Sequence, residues 1–539
     1  MSRKFIISAV LAFLSLTASA YTFEELRALG GSKPVSLSGT IEGLVVSDWK
    51  SDNTDLNPNR EHNVVDTGES LRTAYIQSLD GRFGLRLKFE KIYGNRLSKG
   101  DRVTISLDGC MLAMEKDPDR YTVTGLKPGM VSVQESGVAI PSKMKHISEL
   151  APEDVYTYVT LTGVEFPKKT GGYINVIEHC VQRSDINHDV WYPELNGWLP
   201  SNTTADCWAR LVMDDRGDAL YMLVNSTCGW RRNDQGVPQG IGNISGVIVH
   251  NVLPRYGATI GTYSIRPLDR SDIDMPQEFG SSYEKVAAWE YDYNRYAELV
   301  FENKGATRWL KPNMVKEDRV KAETGEGYVW TDSGAYIALD EEYDARHSFD
   351  GWKPSRMLGA RSNAALRFDA KAPKWFRFDA AGKVTGYNGV YLETSTKEVA
   401  DGKLYFDFSF VASREHTKYA CDYPVEWKVA YSEDGVNFIE LPQTYFLRPI
   451  IATNIKHGKI INVKTHSEMA MGFSEYSVEL PSHLCGKDKV VIRLAPCSDV
   501  TAVMPAKWDS PSAAGKASKD METEVIIRFG TLAVKYLKN

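Results

Sequence analysis

The residues of this chain with chemistry to offer are its cysteines, histidines, acidic loops, a basic stripe and aromatic rings set in turns. Seven cysteines in 539 residues are too few for a disulfide scaffold, and the odd number leaves at least one thiol unpaired within the chain. Cys207 and Cys228 face each other if the hairpin between them turns near Gly217-Asp218, and part if it turns at Asp215-Arg216. Cys485 and Cys497 flank a strand: six extended residues alone span about 20 Å, whereas a disulfide needs α-carbons within about 7 Å. Ten histidines show no His-x-x-x-His or Glu-x-x-His pattern, and His179, Cys180, His188 and Cys207 match no closed zinc site. Oxygen donors cluster between Asp48 and Asn57. Calcium takes several oxygens, so Asp48, Asp52 and Asp55 are candidate ligands of a structural calcium. The run lacks the glycine and distal glutamate of an EF-hand loop, and a solvated acidic loop reads the same way. Asp340, Glu341, Glu342 and Asp344 form a second such cluster. No other cofactor is implied.

A basic run at Arg82, Arg86, Lys88, Lys91, Arg96, Lys99 and Arg102 could track an anionic backbone, with Phe83 or Tyr93 as stacking rings. Arg86 and Lys88 alternate with Leu85, Leu87 and Phe89, however, as in any half-buried strand. Residues 21–150 hold 17 basic and 18 acidic side chains, so the domain-wide basic footprint of a nucleic-acid binder is missing. The whole chain, at −6, points the same way. Arg216-Gly217-Asp218 is a tripeptide that some integrins read, but Gly and Asp between two strands are what a turn requires.

No Gly-x-Ser-x-Gly elbow, Walker loop or dinucleotide fingerprint is present. Twelve Trp and 27 Tyr exceed what the clear core positions use. Trp230 beside Arg231, and Trp352 in Asp350-Gly-Trp-Lys-Pro354, sit in polar, turn-like contexts. There they could stack on sugar rings or anchor a protein interface, or equally cap a core. The candidate ligand-binding residues are therefore Trp230, Arg231, Trp352, Arg86 and Lys88.

These residues need a scaffold, and the pattern predicts an all-β one. Thr22-Phe-Glu-Glu25 is a capping box for one short helix; beyond it, period-two alternation takes over. Strands are predicted at 37–46, 73–79, 83–89, 102–107 and 121–125, with Asp80-Gly81 as a tight hairpin turn. Five strands with a long first loop fit a small Greek-key barrel. A boundary at 148–152 precedes strands at 156–166, 208–213, 219–224, 244–249 and 262–265, a second unit of similar make-up. After a linker at 274–282, strands at 403–410, 425–431, 490–494, 525–529 and 532–536 alternate strongly. Leu404, Phe406, Phe408 and Phe410 face one way, and Lys403, Tyr405, Asp407 and Ser409 the other. One oily and one wet face predict stacked antiparallel sheets, a β-sandwich. The expected organisation is a signal peptide at 1–20, β domains at 21–150 and 151–275, and a sandwich at 276–539.

Arg3 and Lys4, an apolar stretch from Phe5 to Leu16, and Ala18-Ser19-Ala20 have the form of a secretory leader. The apolar stretch falls short of the roughly 20 residues that span a bilayer. Removal of residues 1–20, with two positive and no negative charges, takes the net charge to −8. A soluble periplasmic or secreted protein is expected.

Thr22-Phe-Glu-Glu-Leu26, Leu37-Ser-Gly39-Thr-Ile41-Glu-Gly43 and Ala74-Tyr75-Ile76-Gln77 resemble an uncharacterised OB-like domain family of exported Gram-negative bacterial proteins. Tyr158 to Phe166, Gly242 to Ile248 and Tyr263 to Ile273 fit the same family's second half, so the resemblance covers about residues 21–275. Trp427-Lys-Val429-Ala-Tyr431-Ser432-Glu-Asp434-Gly435 is similar to a galactose-binding-like jelly roll. The resemblance implies two OB-like Greek-key domains, a jelly-roll sandwich, and a surface-associated binding role, in some relatives glycan capture. It supplies no catalytic residues, and the lipobox cysteine of many relatives is missing. The expectation is an exported, non-catalytic binder of a glycan or cell-envelope protein. The rival is a secreted hydrolase acting on polysaccharide or nucleic acid.

Overall fold

The computed structural model describes residues 20–51, 53–54, 71–169, 173, 176–177, 191–192, 197–198, 203–204, 209–224, 228, 230, 237–250, 252–253, 258–259, 261–290, 319–333, 336–340, 365–371, 375–413, 421–447, 453–456, 459–461, 471–472, 474–504, 514–516 and 524–538. The expected leader, apart from Ala20, therefore lies outside the described residues. The chain is all-β, and no helix among the described residues is long and apolar enough to cross a membrane.

The capping box forms as expected: Glu25 N–H donates to Thr22 Oγ1 at 3.1 Å, and Thr22 N–H returns to Glu25 Oε2 at 2.9 Å. This helix, Phe23–Ala28, buries Phe23 and Leu26 against the first barrel. In that barrel Thr40–Val45 pairs with both Thr73–Gln77 and Arg102–Ser106, and Gly84–Phe89 runs parallel to Arg120–Leu126. Gly81, at φ 73°, makes the hairpin turn. Numbering these strands one to five, the order is 5-3-2-1-4, an OB-like Greek key. Met111–Glu115 and Val131–Glu135, which alternation does not single out, extend the sheet at its two sides.

The second sheet repeats that order and closes it. Tyr158–Glu165 pairs with Arg210–Asp214 and Gly242–Val249, Ala219–Met222 runs parallel to Ser264–Arg266, and Ser264–Arg266 pairs back onto Gly242–Val249. The ladder from Arg210↔Met222 to Met213↔Ala219 centres on Arg216. Cys207 lies outside the described residues, and Cys228 is buried in this barrel's core.

The sandwich has a seven-stranded sheet built around Glu524–Leu537 and a six-stranded sheet running from Val320–Lys321 to Ile439–Phe446. Leu404, Phe406, Phe408 and Phe410 meet Trp427, Val429, Ile492 and Leu494 in one core. Two expectations fail here. The predicted strands at 525–529 and 532–536 are a single 14-residue strand, because the irregularity near Gly530 is a bulge opposite Ser409/Phe410 rather than a turn. The predicted wet face of the 404–413 strand is also not wet. Tyr405, Asp407 and Ser409 are buried, because that face docks on the second barrel.

Polar groups fill this docking surface. Asp407 is paired with Lys535 and accepts from Ser477, while Glu475 Oε2 accepts the Leu211 amide at 3.0 Å and lies 3.5 Å from Arg210. Tyr283 donates to the Asp214 carbonyl at 2.7 Å. The Arg-Gly-Asp turn lies beneath it: Tyr405 donates to the Gly217 carbonyl at 3.0 Å and Lys403 to the Arg216 carbonyl at 2.9 Å. Gly217 has φ 92°, and a Cβ there would meet the Tyr405 hydroxyl at 2.0 Å. The tripeptide is thus a clamped turn.

Two stability outcomes follow from this interface. Lys535→Met strands the buried Asp407 carboxylate and should cost about 3–5 kcal/mol in denaturant unfolding, whereas Asp407→Leu combined with Lys535→Met should recover most of that loss. Gly217→Ala should destabilise by at least ~1 kcal/mol from backbone strain alone; an unchanged unfolding midpoint would contradict the clamped turn.

Candidate functional site

With one outer face of the sandwich docked, the outer face of the six-stranded sheet is the one with exposed rings and charges among the described residues. Val329, Leu392, Ile492 and Val429 point into the core, so their strand neighbours Trp330, Tyr391, Arg493 and Ala430 point outward. Trp330 pairs with Tyr391, Tyr391 with Arg493, Arg493 with Ala430, and Ala430 with Glu440. Arg319 adds the other end, its guanidinium 4.3 Å from the Trp330 ring centroid. The result is one continuous row across the sheet, roughly 24 Å long at ~4.8 Å per strand.

The row is held by contacts that the local sequence dictates. Trp330 and Tyr391 stack at 5.5 Å and 11°. Tyr391 donates to Asp332 Oδ2 at 3.0 Å, and Asp332 Oδ1 accepts the Gly389 amide at 2.7 Å. Burial first, and then the Asp332 charge, push the Tyr391 hydroxyl up to about 12, so it stays a neutral donor. The Ser432-Glu-Asp434-Gly435 turn delivers Phe438. Asp434 accepts from the Val436 and Asn437 amides at 2.7 and 2.8 Å, which holds its carboxyl well below the usual range. Phe438 then meets Tyr391 edge-on at 5.7 Å and lies under the Arg493 guanidinium at 4.9 Å. Tyr328, on the strand of Trp330, is 43% exposed.

Of the residues singled out from the sequence, those that the structure describes fall elsewhere. Trp230 packs edge-on against Tyr173 at 5.8 Å and covers the second barrel's core. Arg231 and Trp352 lie outside the described residues. Arg86 and Lys88 are half-buried on Gly84–Phe89, alternating with core residues. Three cations of the basic run have separate partners: Arg102 bonds Glu42 at 2.7 Å, Lys99 meets Asp272 of the second barrel at 3.2 Å, and Arg96 lies 4.5 Å over Trp49. Asp48 Oδ1 accepts the Lys50 amide at 2.9 Å, and Asp52 and Asp55 lie outside the described residues. Asn53 in the same loop is buried in the second barrel. It donates to the Leu223 and Pro267 carbonyls and accepts from Arg266. Among the described residues no group of three His, Cys, Asp or Glu could hold a metal ion. Asp407 and Glu475 do line a small recess; Asp407 and Glu475 Oε2 are engaged by the contacts above, while Glu475 Oε1 is buried without a hydrogen bond among the described residues.

Sequence reasoning missed the row because it looked for rings in turns. The available signal was an aromatic at the outward position of a strand, as in Tyr328-Val-Trp330 and Val390-Tyr-Leu392.

No family model and no curated protein matches the chain. Solved structures with some likeness include three binding domains. The CBM22-1 xylan-binding domain from Paenibacillus barcinonensis is 6% identical, with 39% of this chain and 86% of that one covered at a TM-score of 0.18. The CBM27-1 domain of Caldicellulosiruptor saccharolyticus, solved with mannohexaose, is 14% identical, with 47% and 97% covered at 0.20. The K1 cleaved adhesin domain of Lys-gingipain from Porphyromonas gingivalis W83 is 14% identical, with 40% and 99% covered at 0.16. At such scores none assigns a ligand to this chain.

Replacing Asn53 by Ala removes two hydrogen bonds to backbone carbonyls and one from Arg266, and should destabilise by about 2–3 kcal/mol. Chemical denaturation measures this; a midpoint unchanged from wild type would show that the loop does not tie the two barrels.

Proposed function

We propose that this chain is an exported, non-catalytic carbohydrate-binding protein whose ligand lies across the outer face of the six-stranded sheet. The observation that carries the reading is the cross-strand row from Arg319 through Trp330, Tyr391 and Arg493 to Glu440. A pyranose has apolar C–H faces and a rim of hydroxyls. Half-buried rings in a row with guanidinium and carboxylate groups suit both. The row is prearranged by a rigid sheet, which limits the ordering that binding demands. Sugar chains are long and repetitive, and a 24 Å row would engage several units at once. Export by the leader at residues 1–20 belongs to the same proposal.

Trp330→Ala with Tyr391→Ala should weaken binding to an immobilised glycan array by at least about tenfold, with the thermal midpoint within a few degrees of wild type. Retained affinity in that folded variant would move the ligand off this face. Reducing-end release from the bound glycans should stay at background; turnover would instead support the hydrolase reading.

A further inference from the structure

The charges on the row say more about the ligand than its rings do. Glu393 is shared between Lys489 at 3.1 Å and Arg319 at 3.9 Å. Glu440 is shared between Arg493 at 3.4 Å and Lys428 at 3.6 Å. Four cations thus divide two carboxylates, and the nearby Asp332 is already engaged by Tyr391 and the Gly389 amide.

Neither guanidinium group has its donors filled. Arg319, 51% exposed, lies over the Trp330 ring, has its nearest carboxylate at 3.9 Å, and makes no hydrogen bond among the described residues. Arg493, 23% exposed, is held against Phe438, makes one long bond to Glu440, and has its Nε–H buried without a partner. A guanidinium offers five donors in a planar fork that matches a carboxylate. Stacking on an aromatic ring fixes the plane of that fork while leaving its edge for a ligand. The two arginines stand three strands apart, roughly 14 Å, with the Trp330–Tyr391 pair between them.

Resting on the glycan reading above, we infer that the sugar chain bound here is acidic, a polyuronate, with Arg319 and Arg493 each receiving a carboxylate from non-adjacent residues of one chain. The aromatic pair contacts the intervening sugar.

Calorimetric titration of the whole protein with a galacturonic acid oligomer, and with the same oligomer after reduction of its carboxyl groups to hydroxymethyl, tests this. The acidic form should bind at least about tenfold more tightly, and raising NaCl from about 50 to about 500 mM should erode that preference. Arg319→Gln with Arg493→Gln should bring the acidic form down to the level of the reduced one. Equal affinity for the two forms, or a double variant that still prefers the acid, would overturn the acidic assignment and leave glycan binding standing. Preference for dextran sulfate over the uronate would overturn the carboxylate assignment. No binding to either oligomer or to any neutral glycan would remove the glycan reading itself.

Discussion

The second barrel and the sandwich are joined through a face of β-sheet that is polar in composition and buried in fact. Asp407 and Lys535 neutralise one another there, Glu475 is tied to Arg210 and the Leu211 amide, and Tyr221, Tyr283 and Tyr405 donate across the junction to backbone carbonyls. Burying a charge is costly unless it is paired and hydrogen-bonded. The junction therefore demands one geometry: a small slide would take Glu475 from Arg210 and the Leu211 amide and leave it desolvated and alone. Burial indeed raises the Asp407 carboxyl above its ordinary value, against the opposing pull of Lys535.

That constraint propagates in both directions. Toward the amino terminus, the aromatic cluster at the junction continues through Tyr158 and Tyr156 to Tyr75, so one buried group touches both barrels and the sandwich. Polar ties accompany it: Gln77 accepts the Tyr158 amide at 3.0 Å, Lys99 reaches Asp272, and Asn53 plugs into the second barrel. Toward the carboxyl terminus, the docked face of the seven-stranded sheet is removed from ligand access. The six-stranded sheet is left presenting its outer side, and the row of rings and guanidinium groups lies there.

Much of this architecture was readable in alternation. The capping box, the Asp80-Gly81 hairpin and the inward set Leu404, Phe406, Phe408 and Phe410 depend on neighbours a few residues away, and local pattern encodes such features. The docked face was not readable. Lys403, Tyr405, Asp407 and Ser409 have the composition of a solvated face, and the partners of Lys403 and Tyr405 come from a turn some 190 residues distant. The candidate site was hidden for the same reason. Trp330, Tyr391 and Arg493 become a row only when register sets three strands side by side, whereas Trp230, conspicuous in the sequence beside two arginines, turns out to cover a core. A strand pattern tells which residues share a face, but not what that face meets.

The account stands on the claim that ligand meets the outer face of the six-stranded sheet. Hydroxyl-radical footprinting of the whole chain, with and without a saturating glycan, tests it directly because aromatic side chains report their own exposure. Oxidation of Tyr328, Trp330 and Tyr391 should slow in the complex, while Tyr93 and Phe279, exposed elsewhere at 62% and 75%, should be unaffected. Protection at Tyr93 or Phe279 with no change at Trp330 and Tyr391 would contradict it.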